Sequence, residues 1–345
     1  PDPNFKAYLV ANYDQNSDNE ISRFEIEKLK SLIVSSLGIA SLEGIEHFTN
    51  LEGLACDNNS LTELDLSKNT QLTELTCGYN KISKLILPPN AEKMTWLSCG
   101  DNKLTGKLDC SNWVNLTNLN CHTNNFTALD LTGCSELIGL SCNNNLTSLN
   151  VQDCSNLTTL QCDGNKLSSL DISMCPYLLT LSCGNNNLET LDLSNCHNLD
   201  RLFCQDNKLS SLDISMCLKL SLLYCQNNML TLLTLGNAST LRDLDCSQNQ
   251  LSSLIATSCT SLTQLTCDNN NIRILDISNC YNLGDLIWHN NPFEEINLGD
   301  VASITFHNYA AIYDPTKTTD YPYLSYALNN STKLKITSSR YSRLN

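Results

Sequence analysis

The chain has 345 residues and a net charge of −15, and no apolar run in it approaches the roughly 18 residues a membrane span needs. Gripping a phosphate backbone takes clustered Lys and Arg, so 21 basic against 36 acidic residues argue against a nucleic-acid partner. The sequence opens at Pro1 without Met and without an apolar leader, so any export signal is expected to have been removed or to lie outside it.

The first chemical pattern is DQNSDNEISRFE, residues 14–25, which has oxygen-bearing side chains at the offsets of an EF-hand calcium loop. Asp14, Asn16 and Asp18 take the first, third and fifth places. Glu20 would ligate through its backbone carbonyl, Ser22 directly or through a water, and Glu25 through both carboxylate oxygens at the twelfth. Asn19 stands at the sixth place, usually Gly, and Asn is among the residues that tolerate a left-handed backbone. Helices are expected on either side, over Phe5–Tyr13 and over Arg23–Ser31, with Phe24, Ile26 and Leu29 available for packing. Calcium sensors generally work as paired hands and one hand is visible, so calcium is expected to fix residues 1–36 as an end cap.

Beyond this loop the chain repeats. The pattern L-x-x-L-x-C-x-x-N places cysteines at 56, 77, 99, 121, 142, 162, 183, 204, 225, 246 and 267, in steps of 20 to 22 residues, and Trp288 takes the next rung. Asparagine follows three residues later, as at Asn59, Asn80, Asn102, Asn124, Asn165 and Asn207; the 20-residue step comes from a one-residue deletion near Asn145. Each repeat also halves, LTELTCGYNK resembling LSSLDISMCP, so one coil has two strand-like sides. Stacked coils then make two parallel sheets around a leucine core.

Eleven cysteines occupy the inward place of the first strand, seven (Cys134, Cys154, Cys175, Cys196, Cys217, Cys259 and Cys280) match the asparagine place in the second half, and Cys110 replaces an inward leucine. Neighbouring rungs about 4.8 Å apart lie within reach of a disulfide, but their Cβ vectors run parallel. Free, buried structural thiols are therefore expected. No two cysteines are closer than eight residues, which removes the C-x-x-C pair of a zinc site. The asparagines carry both a donor and an acceptor and are expected to satisfy backbone groups on adjacent turns.

After about Phe306 the repeat ends. Tyr309, Tyr313, Tyr321, Tyr323, Tyr326 and Tyr341 are expected to cap the apolar end, and residues 331–338 to add a closing strand.

Signatures of catalysis are missing. GDNKLTGKL departs from a phosphate loop in spacing and at Leu108, and the histidines are scattered, with His289 expected on a surface strand. The chain is therefore expected not to be an enzyme. What varies is the outward place before each rung, mostly small or polar. Phe203 and Tyr224 break that run on adjacent coils, with Arg201 on the same face as Phe203, and Trp96 is a further outward aromatic. Aromatics beside Arg are the makings of a protein-binding hot spot, and they serve equally to stack on a sugar ring.

The 21-residue period with L-D-L or L-D-I in its second half resembles the short bacterial leucine-rich repeat over roughly residues 37–306. That resemblance implies an α/β-class leucine-rich-repeat solenoid, predominantly β, with parallel strands stacked about every 21 residues, about thirteen coils and a small helical N-terminal cap. The domains expected are the cap at 1–36, the solenoid at 37–306 and a C-terminal cap at 307–345. With SLEGIEHFTNLEGLAC (residues 41–56) and the calcium loop, the chain resembles the secreted or surface-anchored leucine-rich-repeat proteins of gut Bacteroidetes, which share the internalin scheme. The resemblance implies recognition of a protein outside the cell or on the bacterial surface, and the chain is expected to be a monomer. A glycan-binding module and a structural adhesin stalk remain open at this point.

Overall fold

A leucine pointing inward, one residue pointing outward and then a cysteine make up the repeating unit of the first side. In the computed structural model, which describes residues 2–299 and the backbone of 305–306 and 335–338, these residues form strands three residues long. The chain divides into two units, Pro1–Leu167 and Ser168–Asn345.

In the first unit the ladder strands are Ser31–Ile33, Gly53–Ala55, Glu74–Thr76, Trp96–Ser98, Asn118–Asn120, Gly139–Ser141 and Thr159–Gln161. They pair in parallel and in register, Leu32 beside Leu54, then Leu75, Leu97, Leu119, Leu140 and Leu160. Each of these leucines is buried. In the second unit Thr180–Ser182, Arg201–Phe203, Leu222–Tyr224, Asp243–Asp245, Gln264–Thr266, Asp285–Ile287 and Thr305–Phe306 pair in the same way. The stacked-strand solenoid expected from the period is therefore present, and every side chain of a row faces its counterpart one coil away.

The second side differs from the expected unbroken sheet. Among the described residues it is a set of short pieces: Glu63–Asp65 with Lys84–Ile86, Thr105–Asp109 with Asn125–Asp130, Ser211–Asp213 with Leu232–Thr234, and a four-stranded piece from Ser253–Ile255 to Lys335–Ser338. The aspartates of the L-D-L and L-D-I segments explain the brevity. Asp65, Asp109, Asp192, Asp213 and Asp276 each accept the N–H of the serine two residues on, at 2.8–3.0 Å. Such Asx turns close the strand and bend the chain into the next corner.

All nineteen cysteines are buried and free, as expected. The asparagine row is also as expected, and it is fully used. Asn102 donates to the carbonyls of Cys77, Cys99 and Gly100 at 3.0–3.1 Å and accepts the N–H of Ile82 at 2.9 Å. The residue before each such asparagine is commonly left-handed, as at Asn58, Tyr79, Asp101, Asp206 and Asn227, with φ between 52° and 56°. The corner is thus a tight turn whose inward backbone groups are met by the next residue's side chain.

At the N-terminal end, α1 (Pro3–Tyr13) is capped by Asp2, which accepts from Asn4 and Phe5. Asp2 also accepts the N–H of Ala40 at 2.7 Å, and Phe5 packs on Phe48, fastening the helix to the first coils. The exit helix is shorter than expected: α2 is only Arg23–Ile26, and Ser31, assigned to the helix from sequence, begins a ladder strand instead. Ile26 is buried, whereas Phe24 points to solvent under Lys28. The ladder therefore starts within the residues assigned to the cap, with Val34 in the place that cysteine takes on later rungs. The closing strand expected within 331–338 is present as Lys335–Ser338, paired in parallel with Glu295–Gly299. The six tyrosines from Tyr309 to Tyr341 lie outside the described residues.

Candidate functional site

The loop of residues 14–25 is held by its own side chains. Asp14 accepts the N–H groups of Ser17 and Asn19 at 2.7 and 2.9 Å, Asn16 accepts that of Asp18, and Asp18 that of Glu20. Asn19 has φ 64°, the left-handed turn its position was expected to need. Glu25, only 6% exposed, accepts from Gln15 N–H, Ser22 N–H and the Ser22 hydroxyl at 2.7–2.8 Å. The Ser22 amide and hydroxyl, followed by the Gln15 amide, hold its carboxyl below the usual carboxylate range. Glu20 accepts Lys6 Nζ at 2.7 Å.

The donor set of Asp14, Asn16, Asp18, Glu20, Ser22 and Glu25 is all oxygen, which suits calcium, and the loop's turn suits the motif. Among the described residues, however, no three His, Cys, Asp or Glu side chains stand together as a metal site. The carboxylates of Asp14, Asp18 and Glu25 are turned to backbone amides, and that of Glu20 to Lys6.

The outward face of the ladder carries a second group of candidate residues. Phe203 and Tyr224 are register partners on neighbouring strands. Their rings meet edge to face, centroids 5.5 Å apart and planes at 84°. The Tyr224 hydroxyl donates to Asp243 on the next strand at 2.9 Å. Burial, then Asp243 and Asp245, push that hydroxyl up to about 12. Both rings are partly exposed. Arg201 stays largely in solvent, its Nε 3.5 Å from Asp200. The structure thus brings together Arg201, Phe203 and Tyr224, and adds Asp200 and Asp243, which sequence reasoning missed. The signal for Asp243 was its place one coil after Leu222, the first residue of the strand that holds Tyr224. Trp96, 42% exposed, lies in the other unit.

Further along the second unit's face, Asp245 sits among carboxylates. Burial, with help from Asp268 and Asp243, raises its carboxyl despite two hydrogen bonds from Ser247. His289 is not on a strand as expected. It follows Asp285–Ile287 in a turn, mostly buried, with Nε2 3.4 Å from Asp268.

No known family profile matches the chain. Over 70 residues it is 39% identical to Internalin J of Listeria monocytogenes serotype 4b (strain F2365), a stretch that covers 20% of this chain and 8% of that protein. The solved functional domain of InlJ from Listeria monocytogenes, described as including a cysteine ladder, is similar at 34% identity and a TM-score of 0.77, covering 89% of this chain and 74% of that one. The internalin InlF of the same species gives 22% identity and 0.70 over 89% and 96% of the two chains. YopM, a leucine-rich effector protein from Yersinia pestis, gives 23% and 0.65 over 96% and 98%. These last two speak to the fold alone. With 34% identity to the InlJ domain over most of both chains, and a ladder of cysteines of its own, the chain belongs to the internalin-like leucine-rich-repeat proteins.

Proposed function

We propose that this chain is an extracellular binding protein, not an enzyme, that recognises a protein partner as a monomer with the outward face of its ladder strands, while calcium stabilises its N-terminal cap. The observation that carries the reading is the Phe203–Tyr224 ring pair beside Arg201, two aromatic rings in edge-to-face contact on adjacent rungs of the outward face. Large rings held rigid by a neighbour and by a hydrogen bond to Asp243 lose little entropy when a partner covers them. Aromatic and Arg side chains also dominate the energetics of protein interfaces. Trp96 supplies a comparable contact in the first unit.

The location follows from two supports. A single loop of modest affinity fills where calcium is millimolar, which is outside the cell. Thiols buried in a leucine core survive there, because they neither ionise nor meet an oxidant. The same reading assigns the chain to the Bacteroidetes variety, on the combination of the loop with the Cys/Asn repeat.

The test is retention from host and bacterial surface extracts on the immobilised chain with calcium present. A protein retained by the wild type and lost by Phe203→Ala/Tyr224→Ala supports the reading. Retention unchanged in that double variant removes the ring pair as the site, and a glycan array signal lost in the variant moves the reading to sugar recognition.

A further inference from the structure

The ring pair borders a stretch of the ladder face that carries acid and no base. From Leu222 to Ile287 the outward places hold Asp243, Asp245, Asp268 and Asp285, and none holds Lys or Arg. Two of these carboxylates lie beside the rings. Register sets Leu222 against Asp243 and Tyr224 against Asp245, and the Tyr224 hydroxyl donates to Asp243 Oδ2 at 2.9 Å. Asp245 Oδ1 accepts the N–H and the hydroxyl of Ser247 at 3.0 and 2.7 Å. Each carboxylate thus has neutral donors, and among the described residues neither makes an ion pair. Arg201 stands two coils before Asp243, with Leu222 between them, and is held toward Asp200.

This arrangement costs the fold stability. Burial, joined by Asp268 and Asp243, raises the Asp245 carboxyl, so its charged form is a net loss at neutral pH. One amide in its place would remove that loss. Carboxylates held against their own preference beside exposed rings point to a charge that arrives from outside.

The chemistry selects the cation. Among the described residues no three acidic, His or Cys side chains converge as a metal site. Asp243 and Asp245 are outward neighbours on one strand, about 6.6 Å apart. A guanidinium presents five N–H donors around a plane and bridges such a pair, whereas an ammonium acts as a point charge. The same plane stacks on aromatic rings and is attracted to their faces. Gln205 and Gln226, two residues beyond Phe203 and Tyr224 on the same face, each hold a buried side-chain oxygen with no hydrogen-bond partner. Those acceptors also call for a ligand rich in donors. A neutral sugar would leave both aspartates without a countercharge, and an anionic headgroup would be repelled by them.

We propose that the protein partner of the ring pair presents an arginine, whose guanidinium lies against Phe203 and Tyr224 and bridges Asp243 and Asp245. The proposal rests on the reading that the ring pair is the binding site and adds the chemistry of what it binds.

Fluorescence anisotropy of a labelled peptide of alternating Arg and Gly against the full chain provides the test, beside the same peptide with Lys for Arg. Saturable binding of the Arg peptide is expected. It should weaken about tenfold in Asp243→Asn/Asp245→Asn and in Phe203→Ala/Tyr224→Ala, and about threefold when Lys replaces Arg. The variant Asp171→Asn/Asp192→Asn/Asp213→Asn, which removes more charge from the second side of the coils, should bind as the wild type does. Asn at 243 and 245 keeps an acceptor for Tyr224 and Ser247, and unchanged circular dichroism checks folding. Absence of saturable binding, full binding by Asp243→Asn/Asp245→Asn, or an equal loss in the triple variant overturns the proposal. Equal affinity for the Lys peptide overturns the assignment to arginine. A surface-extract protein lost by the ring variant but held undiminished by Asp243→Asn/Asp245→Asn leaves the ring pair as the site and overturns the arginine alone.

Discussion

Asn207 donates through Nδ2 to the carbonyl of Cys183, a full coil earlier in the chain, at 3.0 Å. The same amide reaches the Cys204 carbonyl at 3.2 Å, and its Oδ1 accepts the N–H of Leu188 at 2.9 Å. One buried side chain therefore satisfies backbone groups on two successive turns. Asn207→Ala is expected to leave them unpaired and to lower the unfolding free energy by about 1–3 kcal/mol, read from denaturant melts. A loss under about 0.5 kcal/mol, typical of surface changes, would mean that water replaces the amide.

The thiols should be silent in the native state. Burial pushes the Cys99, Cys142 and Cys204 thiols up to about 12, so thiolate is scarce at neutral pH and shielded as well. Titration with a chromogenic disulfide at about pH 8 is expected to leave the native chain unlabelled. In guanidinium chloride all nineteen cysteines should react. Fast labelling of several thiols without denaturant would show that the coils open readily.

Calcium is expected to raise the melting temperature, and Asp14→Ala to abolish the rise. Asp14 also accepts two loop amides, so that variant melts lower even in chelator. The informative quantity is the difference with and without calcium at about millimolar concentration. A wild-type melt that chelator leaves unchanged ends the cap proposal.

Asp245 carries a pH signature. Its carboxyl is raised by burial and by the neighbouring Asp268 and Asp243. A raised folded value favours the protonated form, so its contribution is fully present below the ordinary aspartate value and is lost as pH rises through the raised one. At neutral pH the charged group is thus a net cost. Asp245→Asn, which keeps an acceptor for Ser247, is expected to raise the melting temperature at neutral pH, the gain vanishing below about pH 4. A gain that persists there would point to packing rather than charge.

The rungs were legible because period alone places them: a leucine, an outward residue and a cysteine cannot shift by one position without turning the core outward. The Asn row was legible for the same reason, since a buried amide must be matched to turns on either side. The start of the ladder was hidden. Leu32 and Val34 occupy a rung without its cysteine, so KLKSLI reads as the end of a helix. The Tyr224–Asp243 bond needed the register between strands, which the sequence suggests but side-chain direction decides.

The shortest coil shows how the ladder copes with a lost residue. Asn144 stands two residues after Cys142 rather than three, yet its Nδ2 still donates to the Cys121 carbonyl at 3.1 Å and its Oδ1 accepts the N–H of Asn124 at 3.0 Å. The side chain has slid back along the turn: it keeps the carbonyl of the preceding cysteine, while its oxygen takes the N–H of Asn124 itself instead of the one two residues further on, which the regular row uses. A deletion at this corner is therefore absorbed within one coil instead of propagating as a frame error. Chains of this kind can gain or shed residues at their turns, and by extension whole coils, while every remaining rung keeps its neighbour. Copy number then becomes a trait that varies among descendants without the scaffold having to be rebuilt.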